Sequence, residues 1–393
     1  MQLYTPEYFS YTRSMHWEVI IIGGGPAGIS TALHLKRFSP ERTRVLVLEK
    51  ARYPRPKLCA GGLVGDAEVL LRGLGLDVSE ISHCDAEAAH FEYEGRGLIV
   101  NIPGSHILRC IQRDEFDFWL AKKARERGIT ISEGVNVHRV MTTENEVLVS
   151  TDHGDFHAQI LVGADGTNSV VRRQVIGQEH VRPSCAFEVL VTPMNGGRHS
   201  TRDAYFDFSS VPKGNAGYMW DFPAPHEGKK MRCWGMYHST VRTGMYPQVM
   251  KKLLKAELER CGIQIEKTEI RGHPIRVFSP FDRLSVPRII LVGDAAGVDP
   301  VFGEGISFGL GYGYLAARAI QNAFDKRDFS FLQYRVRVLC SPLGRALATR
   351  WFIAQTIYRM QYPWSQKLLW WVLTPVVLLV AKAFVLNWAQ RMK

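Results

Sequence analysis

Three times along this chain a short apolar run breaks off into glycine, and each run reads as a buried strand that delivers a loop. Glu18-Val19-Ile20-Ile21-Ile22 leads into Gly23-Gly24-Gly25-Pro26-Ala27-Gly28, Ala158 to Val162 into Gly163-Ala164-Asp165-Gly166, and Arg288 to Val292 into Gly293-Asp294. After the first loop come a helical stretch, Ile29 to Phe38, and a second strand, Arg44 to Leu48, closed by Glu49. That order is a strand–turn–helix–strand unit of the parallel α/β kind. ISFGLGYGYLAARAI after Gly305 reads as another helix, and residues 249–262 as a further one ending at Gly262. Period-two alternation from Ala186 to Val191 and around Trp220 predicts strands of a separate β-rich unit. At 393 residues the chain exceeds one ordinary core, so two domains are expected.

The loops carry candidate chemistry. Glycines at 23, 25 and 28 permit a tight turn and bring backbone N–H groups of a helix N-terminus against a pyrophosphate. Glu49 stands 21 residues past Gly28, where an acid accepts a ribose hydroxyl and repels a 2′-phosphate. The site therefore suits the ADP half of FAD or NAD rather than NADP. Asp294, at a strand end, is placed to accept a ribityl or ribose hydroxyl. Gly303 and Gly305 let backbone approach a flat ligand, and the helix starting at Ile306 aims its dipole at an acceptor that becomes anionic, as reduced flavin does. Alone, residues 293–305 also read as a tight turn, and Asp165-Gly166 as an Asp-Gly turn.

Taken together, the three loops resemble the flavoprotein superfamily of para-hydroxybenzoate hydroxylase, with Arg113-Asp114-Glu115-Phe116-Asp117 as a fourth matching element. The resemblance covers residues 17 to about 335. It implies an FAD-binding Rossmann-like α/β domain with an inserted mixed β-sheet substrate domain, to which the composition of the last residues adds a C-terminal helical hydrophobic tail. It places FAD against Gly23, Gly25, Pro26, Ala27, Gly28, Glu49, Lys50, Arg113, Asp165, Gly166, Asp294, Pro300, Gly303, Gly305 and Ile306. Arg113 reads equally as an ordinary helix N-terminal charge.

Two stretches are similar to the geranylgeranyl reductase branch. Arg55-Pro56-Lys57-Leu58-Cys59-Ala60-Gly61-Gly62-Leu63 matches its Lys-Pro-Cys-Gly-Gly-Gly-Leu segment, with Leu58 and Ala60 as departures, and Gly217 to Pro223 matches its Tyr-x-Trp-x-Phe-Pro motif. A strand puts Tyr218, Trp220 and Phe222 on one face, an aromatic wall suited to a polyprenyl chain or equally half of a sandwich core. The resemblance implies a substrate site at Gly61, Gly62, Tyr218, Trp220 and Phe222. It also implies Cys59 as the residue that positions the alkene or relays its proton, with NADPH or reduced ferredoxin, the latter an electron-donor protein, as reductant. Rival readings on the same scaffold are a monooxygenase or halogenase, a quinone-reducing flavoprotein, and a flavin-free prenyl binder like Rab escort proteins.

The C-terminal end adds a location. The chain carries a formal charge of +11, and residues 341–393 hold seven basic residues, no acid and five of the nine tryptophans. Leu368 to Ala381 is an apolar run of 14, interrupted by Thr374 and Pro375 and too short to span a bilayer. Trp and cations flanking such a run predict a peripheral or monotopic attachment to the cytoplasmic membrane surface, against the alternative of a helix docked on the catalytic unit. Nucleic acid is excluded as a partner, because the charge rides on Trp/Leu-rich sequence. Seven cysteines without paired spacing predict reduced thiols and no metal. The expected organisation is a lead (1–16), an FAD domain (17–80, 105–179 and 285–338), a β-rich substrate domain (81–104 and 180–284) and the membrane-associating tail (339–393).

Overall fold

The computed structural model describes residues 16–39, 43–177, 183–192, 202–226, 228–242, 244–263 and 270–392. The expected lead, apart from His16, lies outside them.

The glycine-terminated runs become the centre of one sheet. Its strands stand in the order Ser285–Val286, Ile289–Leu291, Gly154–Gly163, His16–Ile22, Val45–Glu49 and Thr130–Glu133, with a hairpin (Val137–Thr142, Val147–Thr151) added on Gly154–Gly163. From Ile289–Leu291 to Thr130–Glu133 every pairing is parallel. Strands covered on both faces need continuous apolar sequence, and Val19, Ile20 and Ile21 are fully buried. Helix Pro26–Phe38 begins with proline at its first position, where no N–H is needed. It crosses helix Ile306–Lys326 so closely that Ser30 Oγ donates to Leu310 O at 2.8 Å, and a Cβ on Gly313 would meet Ser30 Oγ at 2.5 Å. The glycines of GLGYG are thus contact points between helices.

A second sheet runs Arg271–Ile275, Ser184–Val191, Lys229–His238, Gly217–His226, Ala204–Asp207, Ala88–Tyr93 and Arg96–Asn101. Its alternation divides two cores. Phe187, Val189 and Met219 pack with helix Pro247–Arg260, while Tyr218, Trp220 and Phe222 face the opposite core. The expected segment 81–104 divides. Ala88–Tyr93 and Arg96–Asn101 join this sheet, whereas His83–Ala86 pairs with Leu108–Ile111, which pairs on its other side with Gly62–Val64, in a small three-stranded sheet between the two units.

The tail departs from a single interfacial helix. Helix Pro342–Ile357 is followed by two apolar legs, Pro363–Val372 and Thr374–Ala383, bent by 73° at the Thr374-Pro375 interruption. Among the described residues no single helix is long and apolar enough to cross a membrane. Much of the tail is docked. Trp370 stacks on Phe208 at 4.3 Å, Trp388 stacks on Phe308 at 5.0 Å, and Ala389 N donates to Asp66 Oδ1 at 2.9 Å. Arg350 forms a buried ion pair with Asp299, so not every tail cation faces lipid or water. The sequence could not divide these roles, because Trp and Arg serve either a core or an interface. Apolar side chains remain outside as well: Phe352, Trp364, Val372, Val376 and Leu379 are each more than half exposed, beside exposed Arg345, Arg359 and Lys382.

Candidate functional site

One cavity of about 1450 Å³ runs from the first glycine loop, past residues 293–306, to the tail. At its nucleotide end the backbone is shaped by absent side chains. Gly23 has φ +104°, and a Cβ there would lie 2.2 Å from Ala164 O. A Cβ on Gly28 would lie 2.0 Å from Gly23 O, so Gly28 stands behind the wall and lets the helix close on the turn. Glu49, buried at the strand end, accepts from Gly24 N at 2.8 Å and Ala51 N at 3.0 Å. A carboxylate offers about four acceptor positions, which leaves capacity for a ribose hydroxyl. Lys50 lines the cavity beside it. Arg55, absent from the expected set, lies 3.6 Å from Glu49 and 3.1 Å from Asp117.

At the middle, Asp165 Oδ2 accepts from Val170 N at 2.6 Å, while its buried Oδ1 has no partner. Burial pushes this carboxyl above its ordinary range. Asp165 and Gly166 line the cavity with Asp294, Gly303, Gly305 and Ile306. Thr167 Oγ1 lies 3.0 Å from Pro274 O and 3.3 Å from Asp294 Oδ2, tying two of the glycine loops together. Pro300 stands apart from the lining. Its carbonyl accepts from Tyr237 Oη at 3.2 Å, that of Val301 from Tyr358 Oη, and that of Phe302 from Tyr218 Oη at 2.8 Å. Three tyrosines, from two sheet strands and the tail, hold three consecutive carbonyls. Long-range contacts of this kind leave no local signal in sequence.

The residues fit FAD: a glycine cradle that a Cβ would fill, an acid at the second strand end, an orphaned carboxylate oxygen, and a helix N-terminus at Gly305.

Beyond lies an apolar half. Tyr218, Trp220 and Phe222 line it together, joined by Phe206 (4.9 Å from Phe222) and Phe302 (5.7 Å from Phe206). Ile353, Ile357, Leu369, Leu373 and Val377 of the tail continue the wall. Gly62 lines it too, whereas Gly61 (φ +75°) is behind, where a Cβ would meet Ile111 O at 2.0 Å.

Where the halves meet stand Cys59, Arg113 and two residues the sequence did not single out, Glu188 and His273. Arg113 pairs with Asp117 at 3.1 Å and also approaches the Cys59 sulfur. Burial raises the Cys59 thiol, so it stays protonated, with Arg113 opposing the shift. Lys57 Nζ lies 2.6 Å from His273 Nε2. Burial, then Lys57, lowers His273 to about 4, so a neutral imidazole accepts from the lysine. Burial raises Glu304, beside the flavin loop, to about 7. Far from this cavity, His16, Glu146 and His157 bring ligand-type atoms within 4.8 Å of one another, a grouping that spacing did not reveal.

Comparison with known proteins supports an FAD-binding fold. The FAD binding domain family model matches residues 16–325. An uncharacterized protein of Methanosarcina barkeri is 31% identical over 87% of this chain and 84% of its own. A digeranylgeranylglycerophospholipid reductase of Methanopyrus kandleri is 27% identical over 80% of this chain and 83% of its own. In fold, a geranylgeranyl bacteriochlorophyll reductase-like protein of Thermoplasma acidophilum superposes with a TM-score of 0.73 at 20% identity, covering 96% of this chain and 95% of that one. A halogenase gives 0.69 at 16% identity, covering 94% and 82%.

Proposed function

The chain belongs to the FAD-binding family of flavoprotein oxidoreductases, and from that premise we propose that it saturates carbon–carbon double bonds of a geranylgeranyl or longer polyprenyl chain. The observation that carries the reading is the continuous apolar wall from Tyr218, Trp220 and Phe222 through the tail to an exposed apolar strip. Such a wall offers dispersion and burial to a long hydrocarbon and few polar handles for anything else. The similarity to reductases of prenyl lipids supports the same substrate class.

Bound FAD supplies the hydride. Everything else falls to the chain's own residues. Gly23, Gly25, Glu49, Arg113, Asp165, Asp294, Gly303 and Gly305 would hold the cofactor, and the helix N-terminus at Ile306 would favour negative charge there. The aromatic wall fixes the alkene and excludes water. Cys59, held as a thiol, presents a proton at the boundary between the two halves, and Arg113 stabilises the thiolate left behind. NADPH or reduced ferredoxin is the proposed reductant. We further propose that the exposed strip around Val376 and Leu379 rests on a membrane, at the cytoplasmic face, so that substrate enters from lipid.

Monooxygenase or halogenase chemistry on the same scaffold is the competing reading, favoured only by likeness of fold to a halogenase. Oxygen electrode measurements separate the two. The reductase reading expects reductant consumption to follow added geranylgeranyl lipid under nitrogen; strict dependence on oxygen, with oxygen in the product, selects the other.

A further inference from the structure

We propose that Glu188 recharges the Cys59 thiol with a proton after each turnover. The proposal rests on the reductase reading, in which Cys59 protonates the alkene. Glu188 sits in strand Ser184–Val191, on the face that lines the cavity, while Phe187 and Val189 on the other face pack against helix Pro247–Arg260. A carboxylate contributes nothing to packing on that face and is costly to desolvate, so its presence calls for a partner. Its partner is the Cys59 loop: Glu188 Oε1 accepts from Cys59 N at 3.0 Å. On Lys229–His238 the residue opposite is Gly235, which has no side chain to displace the carboxyl. Among the described residues, charged and titratable groups come near it from several elements, including the Cys233 thiol on Lys229–His238. Arg113 and Cys59 stand on the cavity side, Lys57 with His273 lies near, and Arg271 is opposite on the edge strand Arg271–Ile275.

Arg271 is exposed on the edge strand in register with half-buried Glu188, and in the proposed cycle water reaches the carboxyl along that edge. Burial raises Glu188 to about 7, which leaves it able to give and take a proton near neutrality. The steps balance without any change of oxidation state at the protein. The Cys59 S–H bond breaks as a C–H bond forms at the carbon that did not receive the hydride. Arg113 holds the thiolate. The Glu188 O–H bond then breaks as S–H re-forms, and water at the edge strand returns a proton to the carboxylate. Glu188 acts through Cys59 and is a positioning residue for its proton.

Glu188→Gln keeps the acceptor for Cys59 N and removes the transferable proton; Glu188→Asp keeps the carboxyl. The first readout needs no turnover: iodoacetamide labelling of Cys59 in the FAD-loaded protein, followed against pH by peptide mass spectrometry. Loss of the neighbouring negative charge lowers the thiol's midpoint, so Glu188→Gln labels about tenfold faster at a fixed pH below it. The second is kinetic. With reduced enzyme in excess over lipid, Glu188→Gln matches wild type in the first turnover, since Cys59 begins protonated. In steady state it slows by about tenfold, losing the inflection near neutrality, and Glu188→Asp restores most of the rate. An unchanged labelling midpoint together with an unchanged steady-state pH profile overturns the proposal. Wild-type protein that reduces no alkene overturns the reductase reading and this proposal with it, whereas active wild type beside an unshifted Glu188→Gln overturns the proposal alone.

Discussion

Replacing Arg350 by methionine tests whether the tail is an integral wall of the flavin site. The guanidinium reaches Asp299 from helix Pro342–Ile357, with side-chain exposures of 6% and 0%, and lies 5.0 Å over the Phe308 ring. Asp299 Oδ1 is occupied by Val301 N at 2.8 Å, so the carboxylate also sets the start of the flavin loop. Arg350→Met strands that carboxylate in a dry interior, which costs about 3–5 kcal/mol. Spread over the unfolding entropy of a chain this size, the loss lowers the melting temperature by about 4–6 °C. Removing both charges (Arg350→Met with Asp299→Asn) recovers most of it, because a matched neutral pair needs no counterion. Glu304 adds a pH signature. Burial raises its carboxyl to about 7 and Arg350 opposes that rise. Its folded value lies above the unfolded one, so the neutral acid favours folding at low pH, and that contribution is lost as pH climbs through about 7. Without Arg350 the loss moves to higher pH. Differential scanning calorimetry across pH reads both effects. A shift below about 1 °C for the single variant, or strict additivity in the double one, would refute the buried-latch account.

Other consequences follow from single contacts. Gly23→Ala strains a φ of +104° and drives a Cβ into Ala164 O, so the purified variant is expected to lose its yellow colour, measured as flavin released per protein. Gly235→Ala sets a Cβ 2.0 Å from the Trp220 ring and pushes that ring toward the lipid half. FAD content should hold while KM for a long prenyl lipid rises, by about tenfold for 1–2 kcal/mol of lost fit. Trp370→Ala removes a side chain only 3% exposed and should cost about 3–5 kcal/mol in denaturant titration. Val376→Asp with Leu379→Asp alters two exposed positions, so stability should stay within about 0.5 kcal/mol while co-sedimentation with anionic vesicles falls.

Much of this architecture is legible in sequence where cause and effect are local. A strand buried on both faces requires an unbroken apolar run, and the loop after it requires glycine; hence residues 18–28, 158–166 and 288–305 declare themselves. The wall of Tyr218, Trp220 and Phe222 follows from period two once the facing core is known. Residues whose roles depend on distant partners stay hidden. Glu188 looks like one polar position in an alternating strand until folding sets it against the Cys59 loop. Pro300 sits within the flavin motif, yet its carbonyl serves Tyr237 rather than the cavity. The tail is the plainest case, since its tryptophans and arginines satisfy an interface pattern and a core pattern alike, and tertiary contacts divide them.

Alkene reduction can be read from the lipid itself in a single turnover. Photoreduced FAD-loaded protein is mixed under nitrogen with a geranylgeranyl glycerophospholipid in vesicles, and the lipid is extracted for mass spectrometry. The expected product is lipid heavier by two hydrogens for each flavin reoxidised. Flavin that stays reduced beside unchanged lipid, or that reoxidises only when oxygen is admitted, contradicts it.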